Sequence, residues 1–184
     1  MQRLCQGDDR ALNGLMQLWQ GPLVAYLYRF TGNHHDALDL AQETFVRVYA
    51  SRARYEPRAK FSTWLFTIAA NLCRNHARWR ERHPTVSLHG PEDGGAPEGR
   101  AADLPAAAPN PSDAAARQDL AEAVRTQVQR LPEELRAPLI LSEYEQLSQA
   151  EIAGVLGCTV KAVETRLYRA RERLRKALAA WKNV

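Results

Sequence analysis

The stretch LSQAEIAGVLGCTVKAVETRLYRAR, residues 147–171, predicts two short helices joined by a tight turn. Ser148 is a favoured N-cap residue, and Glu151, three positions later, can complete a capping box. Gly157 fits the left-handed backbone at the end of the first helix, and Thr159 can cap a second helix directly after it. This pattern predicts a helix-turn-helix, a motif whose second helix can enter the major groove of DNA.

The second helix carries polar and basic side chains on the face that remains when its apolar residues turn inward. That face offers hydrogen-bond donors, acceptors and cations near the N-terminal end of the helix, as a major-groove reader requires. The residues that we predict to contact DNA are Thr159, Lys161, Glu164, Thr165, Arg166 and Arg169. The alternative is a tight helical hairpin inside a bundle, with a solvated charged face.

Charge is unevenly distributed along the 184 residues, whose net charge is +4. Residues 1–82 carry a net charge of +5 and residues 161–184 one of +6, whereas residues 83–160 are acidic. Two separate basic regions predict that a polyanion is bound at two places.

The sequence lacks the usual signs of an enzyme or a membrane protein. Its three cysteines form no CxxC pair, and its five histidines show no ligand spacing such as HExxH. We therefore expect no disulfide framework, metal site, cofactor, small-molecule substrate or catalysis. Because we find neither a long apolar run nor a signal peptide, we expect a cytoplasmic protein without direct membrane insertion.

Residues 91–116 hold five prolines, three glycines and no aromatic or β-branched residue. Such a segment cannot bury enough apolar surface to offset its ordering entropy, so it predicts a flexible linker. We divide the chain into an N-terminal domain (residues 1–85), an acidic Pro/Gly/Ala-rich linker (86–112) and a C-terminal domain (113–184).

Helical periodicity runs through both domains, and no segment alternates with period two for long enough to predict a strand. We therefore predict an all-α fold of two small helical domains joined by the linker. The expected core positions are Leu15, Leu18, Trp19, Leu23, Leu38, Ala41, Phe45, Val48, Phe61, Leu65, Ile68 and Leu72.

Two polar helix faces in the N-terminal domain are candidate binding surfaces. The first is an acid-amide patch, suited to a basic partner, and consists of Asp39, Gln42 and Glu43. The second joins amides, which can read a flipped base, to cations, which can follow a strand backbone. It consists of Thr67, Asn71, Arg74, Asn75 and Arg78. Ordinary solvated helix faces are the alternative for both.

The segments DALDLAQETFVRVY (36–49) and FSTWLFTIAANLCRNHARWRER (61–82) resemble conserved region 2 of bacterial sigma factors of the extracytoplasmic-function (ECF) group. The C-terminal domain, from LPEELRAPLIL (131–141) through RARERLR (169–175), resembles their region 4. The resemblance implies that core RNA polymerase is a partner through its β′ and β subunits, and that the acid-amide patch docks on β′. It further implies that the second face recognises and melts the −10 promoter element, that the helix-turn-helix reads the −35 element, and that an anti-sigma factor inhibits the protein.

The chain departs from the family pattern at two positions. Glu164 stands where many members carry Lys or Arg, so no −35 sequence can be carried over. Pro138 lies inside a helix that usually lacks proline, and it can kink that helix. Two other classes of protein fit less well. A response-regulator-type activator needs a strand-helix receiver domain, which residues 1–85 do not show, and a purely protein-binding helical adaptor leaves the two basic regions unexplained.

Overall fold

The computed structural model describes residues 1–56, 60–83 and 111–179, with only the backbone described over 111–116. All regular structure in these ranges is helical, which confirms the all-α prediction. The helices are α1 (Gln2–Cys5), α2 (Arg10–Thr31), α3 (His34–Ala50), α4 (Phe61–Arg82), α5 (Pro111–Gln129), α6 (Glu133–Glu143), α7 (Gln149–Leu156) and α8 (Val160–Ala177), with a 3-10 helix at Arg52–Arg54. Most of the predicted linker, residues 86–112, falls outside the described residues.

The reversal between α2 and α3 takes two residues. Gly32 ends α2 with a φ of 75°, a left-handed conformation that glycine adopts without strain. The side chain of Asn33 accepts a hydrogen bond from the Asp36 amide at 3.0 Å and thereby caps α3. α2 and α3 therefore pack along each other, and α4 covers both.

The core of the N-terminal block, α1 to α4, holds two fully buried aromatic rings. Tyr26 and Phe66 meet edge to face, with ring centroids 5.2 Å apart. The prediction that Leu18 belongs to this core is wrong, because its side chain is 72% exposed. The core-facing stripe of α2 runs back from the buried residues between Leu23 and Phe30 to the partly buried Trp19, Met16 and Leu12, and Leu18 lies off that stripe.

The C-terminal block, α5 to α8, contains the predicted helix-turn-helix with its predicted caps. The Ser148 hydroxyl accepts from the Glu151 amide at 3.3 Å, and the Glu151 carboxylate accepts from the Ser148 amide at 2.9 Å. Gly157 ends α7 with a φ of 62°. The Thr159 hydroxyl accepts from the Ala162 amide at 3.2 Å and caps α8. These local predictions are confirmed.

Pro138 lies inside α6, which continues through it as one helix from Glu133 to Glu143. A proline at this depth leaves the carbonyl of residue 134 without its helical hydrogen bond. The Pro138 side chain is buried, so its apolar ring offsets part of that cost.

The two blocks pack against each other through one continuous hydrophobic core. α7 lies against α4, while α5 and α6 lie against α2. The division into two helical domains did not predict this contact, because it joins residues that are far apart in the sequence. We call this packing the closed arrangement.

The half-buried side chain of Arg136, on α6, crosses the contact. Its guanidinium donates to the Phe30 carbonyl at 2.6 Å and, through a second nitrogen, to the Leu131 carbonyl at 2.8 Å. The guanidinium also lies over the Phe30 ring, 5.4 Å from its centroid. One side chain thus satisfies the ends of two helices from different blocks.

Two further charged contacts join the blocks. The guanidinium of Arg29 lies 4.1 Å from the centroid of the Tyr144 ring and 3.9 Å from the Glu145 carboxylate. Lys60 binds Glu151 at 2.9 Å. Hydrogen bonds from Lys60 and then from Ser148 lower the pKa of Glu151 to about 2, so this capping carboxylate stays charged.

The first prediction concerns Arg136. Arg136→Lys keeps the charge but loses the planar fork that reaches two carbonyls, so it should lower the free energy of unfolding by about 1–3 kcal/mol. Arg130→Ala removes an exposed arginine just before α6 and is the matched control, with an expected change within about 0.5 kcal/mol. Urea denaturation measures both, and equal effects of the two substitutions would refute the role of Arg136.

The second prediction concerns pH. The Glu145 side chain is only 9% exposed, and this burial raises its pKa to about 7 even though Arg29 lies nearby. The unfolded chain releases that proton near pH 4.3, so the folded state holds more protons between about pH 4 and 7. The contribution of Glu145 to stability therefore falls as the pH rises through this window, by about 3 kcal/mol in total.

Glu145→Gln removes the cost of burying the charge, so it should stabilise the protein at pH 8 and change little at pH 5. Thermal unfolding at the two pH values measures the difference, with the exposed Glu122→Gln as control. A gain that is the same at both pH values would show that burial of the charge is not the cause.

Candidate polymerase- and promoter-binding surfaces

The acid-amide patch lies on the exposed side of α3. Asp39 and Gln42 are exposed, whereas Glu43 is half-buried and pairs with Arg47 at 2.7 Å. Sequence reasoning missed Val46, which is 60% exposed and continues the same face one turn further along the helix. The signal for it was its spacing of seven from Asp39. The patch therefore combines the exposed carboxylate of Asp39, the exposed amide of Gln42 and the apolar side chain of Val46.

The five residues predicted for −10 recognition share one face of α4, at spacings of three, four or one. Asn71, Asn75 and Arg78 are exposed, while Thr67 and Arg74 are half-buried. The Thr67 hydroxyl donates to the helix's own backbone, and Arg74 donates to the Asn71 side chain at 3.2 Å. Asn71 and Asn75 remain exposed on this face of α4.

A pocket beside Asn71 was not predicted. Its volume is about 410 Å³, and it lies between the end of α3, the 3-10 helix and α4. It is lined by Arg47, Ala50, Ser51, Arg54, Ile68 and Asn71. The fold brings these residues together from two stretches of sequence, with an amide and two guanidiniums around an apolar wall. The size falls within the range of about 300–1,000 Å³ typical of small-molecule pockets.

The C-terminal block covers part of the same α4 face. Arg74 lies 3.6 Å from Glu133 of α6. A second cavity, also of about 410 Å³, lies between the blocks. It is lined by Arg74, Arg78, Glu133, Glu134, Ala137, Pro138, Leu156 and Arg166. In the closed arrangement, carboxylates of α6 thus face the cations that we assign to the −10 strand.

Most of the residues predicted for −35 recognition are exposed on α8 or just before it: Thr159, Lys161, Glu164, Thr165 and Arg169. Arg166 is half-buried and lines the cavity between the blocks. Lys161 binds the Glu164 carboxylate at 3.0 Å, so these two charges act as a pair. The Thr165 hydroxyl donates to the Lys161 carbonyl at 2.9 Å. Tyr168, 68% exposed, belongs to the same surface, although the list of predicted DNA contacts omitted it.

The described ranges bear on two other possible features, a membrane-spanning helix and a metal site. No helix in residues 1–56, 60–83 and 111–179 is long and apolar enough to cross a membrane. The same ranges contain no group of three or more His, Cys, Asp or Glu side chains placed to hold a metal ion.

Two family models match the chain, one in each block. Sigma-70 region 2 matches residues 15–83, and Sigma-70 region 4 matches residues 121–174. The RNA polymerase sigma-H factor of Pseudomonas aeruginosa is 36% identical over 180 residues, which are 97% of this chain and 91% of that protein. The ECF RNA polymerase sigma factor SigW of Bacillus subtilis is 32% identical over 173 residues, which are 94% and 91% of the two chains.

Solved structures have the same fold. CnrH, in complex with the cytosolic domain of CnrY, aligns with a TM-score of 0.69 and 29% identity over 97% of this chain and 94% of that one. The sigma factor RpoE of Bartonella quintana, in complex with the anti-sigma factor NepR, aligns with a TM-score of 0.68 and 22% identity over 92% and 98%. The family matches cover both blocks, and the relatives match nearly end to end. The chain therefore belongs to the ECF sigma factors of bacterial RNA polymerase, which are transcription initiation factors and not enzymes.

Proposed function

We propose that this sigma factor docks on core RNA polymerase through α3, reads the −10 element with α4 and reads the −35 element with α8. The observation that carries the proposal is the placement of three chemically different faces on three helices of two blocks. In this scheme residues 1–85 form region 2, residues 86–112 the linker and residues 113–184 region 4.

Docking on the β′ subunit rests on the face formed by Asp39, Gln42, Glu43 and Val46. Of its two carboxylates, that of Asp39 is the more exposed, and that of Glu43 forms an ion pair with Arg47. An exposed carboxylate beside an apolar side chain fits a basic helical surface, since charge steers the encounter and apolar contact holds it.

Recognition of the −10 element rests on the amides of Asn71 and Asn75 and on the neighbouring pocket. A base that leaves the duplex must enter a cavity lined by hydrogen-bonding groups, and the Asn71 pocket supplies an amide and two guanidiniums. Arg74 and Arg78 lie on the same face and are suited to the phosphates on either side of that base.

Recognition of the −35 element rests on α8, whose exposed N-terminal half presents mixed polar groups for the major groove. The Lys161–Glu164 pair can offer an acceptor to cytosine N4 and a donor to an adjacent phosphate or base. The two elements lie about 70 Å apart if they are separated by two turns of B-DNA. The linker of residues 86–112 has 27 residues and reaches at most about 95 Å, so the blocks must separate while the linker is well stretched.

The proposed location is the cytoplasm, where polymerase and promoter are found. The third proposed partner is an anti-sigma factor. Both similar solved structures are complexes with a second protein, which in the RpoE complex is the anti-sigma factor NepR. A partner that favours the closed arrangement would keep Arg74 paired with Glu133 and Arg78 beside the carboxylates of α6, and so would inhibit promoter binding.

The third prediction tests docking. Asp39→Lys should weaken binding to purified core polymerase at least about tenfold, because it places like charges opposite each other. Glu43→Lys should have a smaller effect, since Arg47 already neutralises part of that carboxylate. Asp119→Lys, which reverses the charge of an exposed residue on α5, is the control. Wild-type affinity of Asp39→Lys for core polymerase, with unchanged helix content, would contradict the docking assignment.

The fourth prediction tests −35 recognition. Glu164→Lys should change the preferred −35 sequence by about 1–3 kcal/mol at one base pair, because a carboxylate near phosphates is useful only when it faces a base. Arg169→Ala should weaken all sequences alike if Arg169 binds phosphate. Selection from a promoter library with each variant holoenzyme measures both effects. An unchanged −35 preference in Glu164→Lys would mean that the residue faces solvent.

A further inference from the structure

The cavity between the two blocks brings together arginines that come from both of them. Arg74 and Arg78, one turn apart on α4, line it together with Arg166 of α8. The acidic residues of its wall are Glu133 and Glu134 of α6. The wall therefore carries three guanidiniums and two carboxylates, which leaves an excess of one positive charge.

The contacts of the closed arrangement leave two of these arginines unpaired. Arg74 lies 3.6 Å from Glu133, so these two charges balance each other. Within the described part of the chain, neither Arg78 nor Arg166 has an ion-pair or hydrogen-bond partner, although Arg166 is half-buried. A guanidinium that loses water without gaining a partner raises the free energy of the closed form. An anion in the cavity would remove that cost.

The rest of the wall restricts the kind of anion that fits. Ala137 and Pro138 are buried and Leu156 is half-buried, so part of the wall is apolar and suits a ring or a hydrocarbon chain. Guanidiniums bind phosphate through paired hydrogen bonds, and two of them match the charge of nearly −2 that a phosphate monoester carries at pH 7. The volume of about 410 Å³ is typical of a small-molecule site. A small phosphate ester meets all of these requirements.

We infer that the cavity between the blocks is a binding site for a small phosphate ester, held by Arg78 and Arg166, and that this ligand is an effector, not a substrate, which keeps the chain closed. The ligand bridges α4 of one block and α8 of the other, so it binds only the closed arrangement. It lowers the ratio of open to closed chains by one plus the ligand concentration divided by its Kd, which is about tenfold at nine times the Kd.

The inhibition by this ligand, though not the site itself, rests on the proposed function, in which the blocks separate to span a promoter. Arg78 and Arg166 are also proposed DNA contacts. A ligand that holds both of them in the closed arrangement therefore excludes promoter binding.

Titration calorimetry of the full chain at constant ionic strength tests the site with AMP, inorganic phosphate and adenosine. AMP should bind more tightly than phosphate, because its base and sugar also cover the apolar wall, and adenosine should not bind detectably. Arg166→Gln should weaken AMP binding at least about tenfold, since a hydrogen bond to a charged group is lost. Glu134→Gln should strengthen it about two- to fivefold, because a like charge is removed from the wall. Arg173→Gln, which changes an exposed arginine of α8 outside the cavity, is the control.

A second measurement tests the inhibition. It is the concentration of the chain at which core polymerase half-saturates a promoter that the wild type selects from a library. AMP at nine times its measured Kd should raise this concentration about tenfold for the wild type. For Arg166→Gln the rise should stay below about twofold, because the same amount of AMP then fills few of the sites.

The site is refuted if the wild type binds no AMP at millimolar concentrations, or if Arg166→Gln binds AMP as tightly as Arg173→Gln does. Equal affinities for AMP and inorganic phosphate would contradict a phosphate ester as the ligand, and tighter binding by adenosine would contradict any anion. If AMP binds as expected but the half-saturating concentration does not change, the inhibition and the proposed separation of the blocks fail, whereas the site stands.

Discussion

The guanidinium of Arg136 is the contact on which the closed arrangement depends. It reaches from the first turns of α6 to the carbonyl at the end of α2 and bonds the carbonyl of Leu131 on its own side. A hydrogen bond to a charged group contributes about 1.5–3 kcal/mol net, and separating the blocks exchanges this bond to the Phe30 carbonyl for one to water. The ion pairs around it are half-exposed, such as Arg74 with Glu133, and each is worth about 1 kcal/mol or less. Arg136 and the shared apolar core therefore decide whether the blocks stay together.

If α4 binds the −10 element as we propose, the closed arrangement and promoter binding compete for the same side chains. Arg74 and Arg78 face Glu133 and Glu134 when the blocks are packed, and they would face phosphates when α4 binds DNA. Apolar surface of α4 and α7 is also shared in the closed form. In the proposed function each block binds its own target on polymerase or promoter DNA, so the free energy of that binding can replace the contact between the blocks. A burial-raised pKa at Glu145 adds a dependence on pH, since the charged carboxylate opposes packing.

Local features of the fold follow from short stretches of sequence, whereas the contact between the blocks does not. Ser148, Glu151, Gly157 and Thr159 act on neighbours within a few residues, so their roles were predicted and are confirmed. Arg136 and Phe30 are separated by 106 positions, and no periodicity links them. The Asn71 pocket was missed for the same reason. Leu18 was misassigned because the apolar residues of α2 fit more than one stripe: Trp19 packs against the core, whereas the neighbouring Leu18 lies outside it.

We propose that the chain is closed when free and must open to span a promoter. Gly21 and Gly154 are suitable label sites on the two blocks, because a Cβ at either meets no heavy atom within 4 Å. Energy transfer between dyes on cysteines introduced there, with Cys5 and Cys158 replaced by serine, would be measured in the free protein and in holoenzyme bound to promoter DNA. We expect efficient energy transfer in the free protein and a large fall in its efficiency on the promoter. The blocks would then lie up to roughly 70 Å apart, the length of two turns of B-DNA. Equal transfer in both states, with transcription proceeding from that promoter, would contradict it.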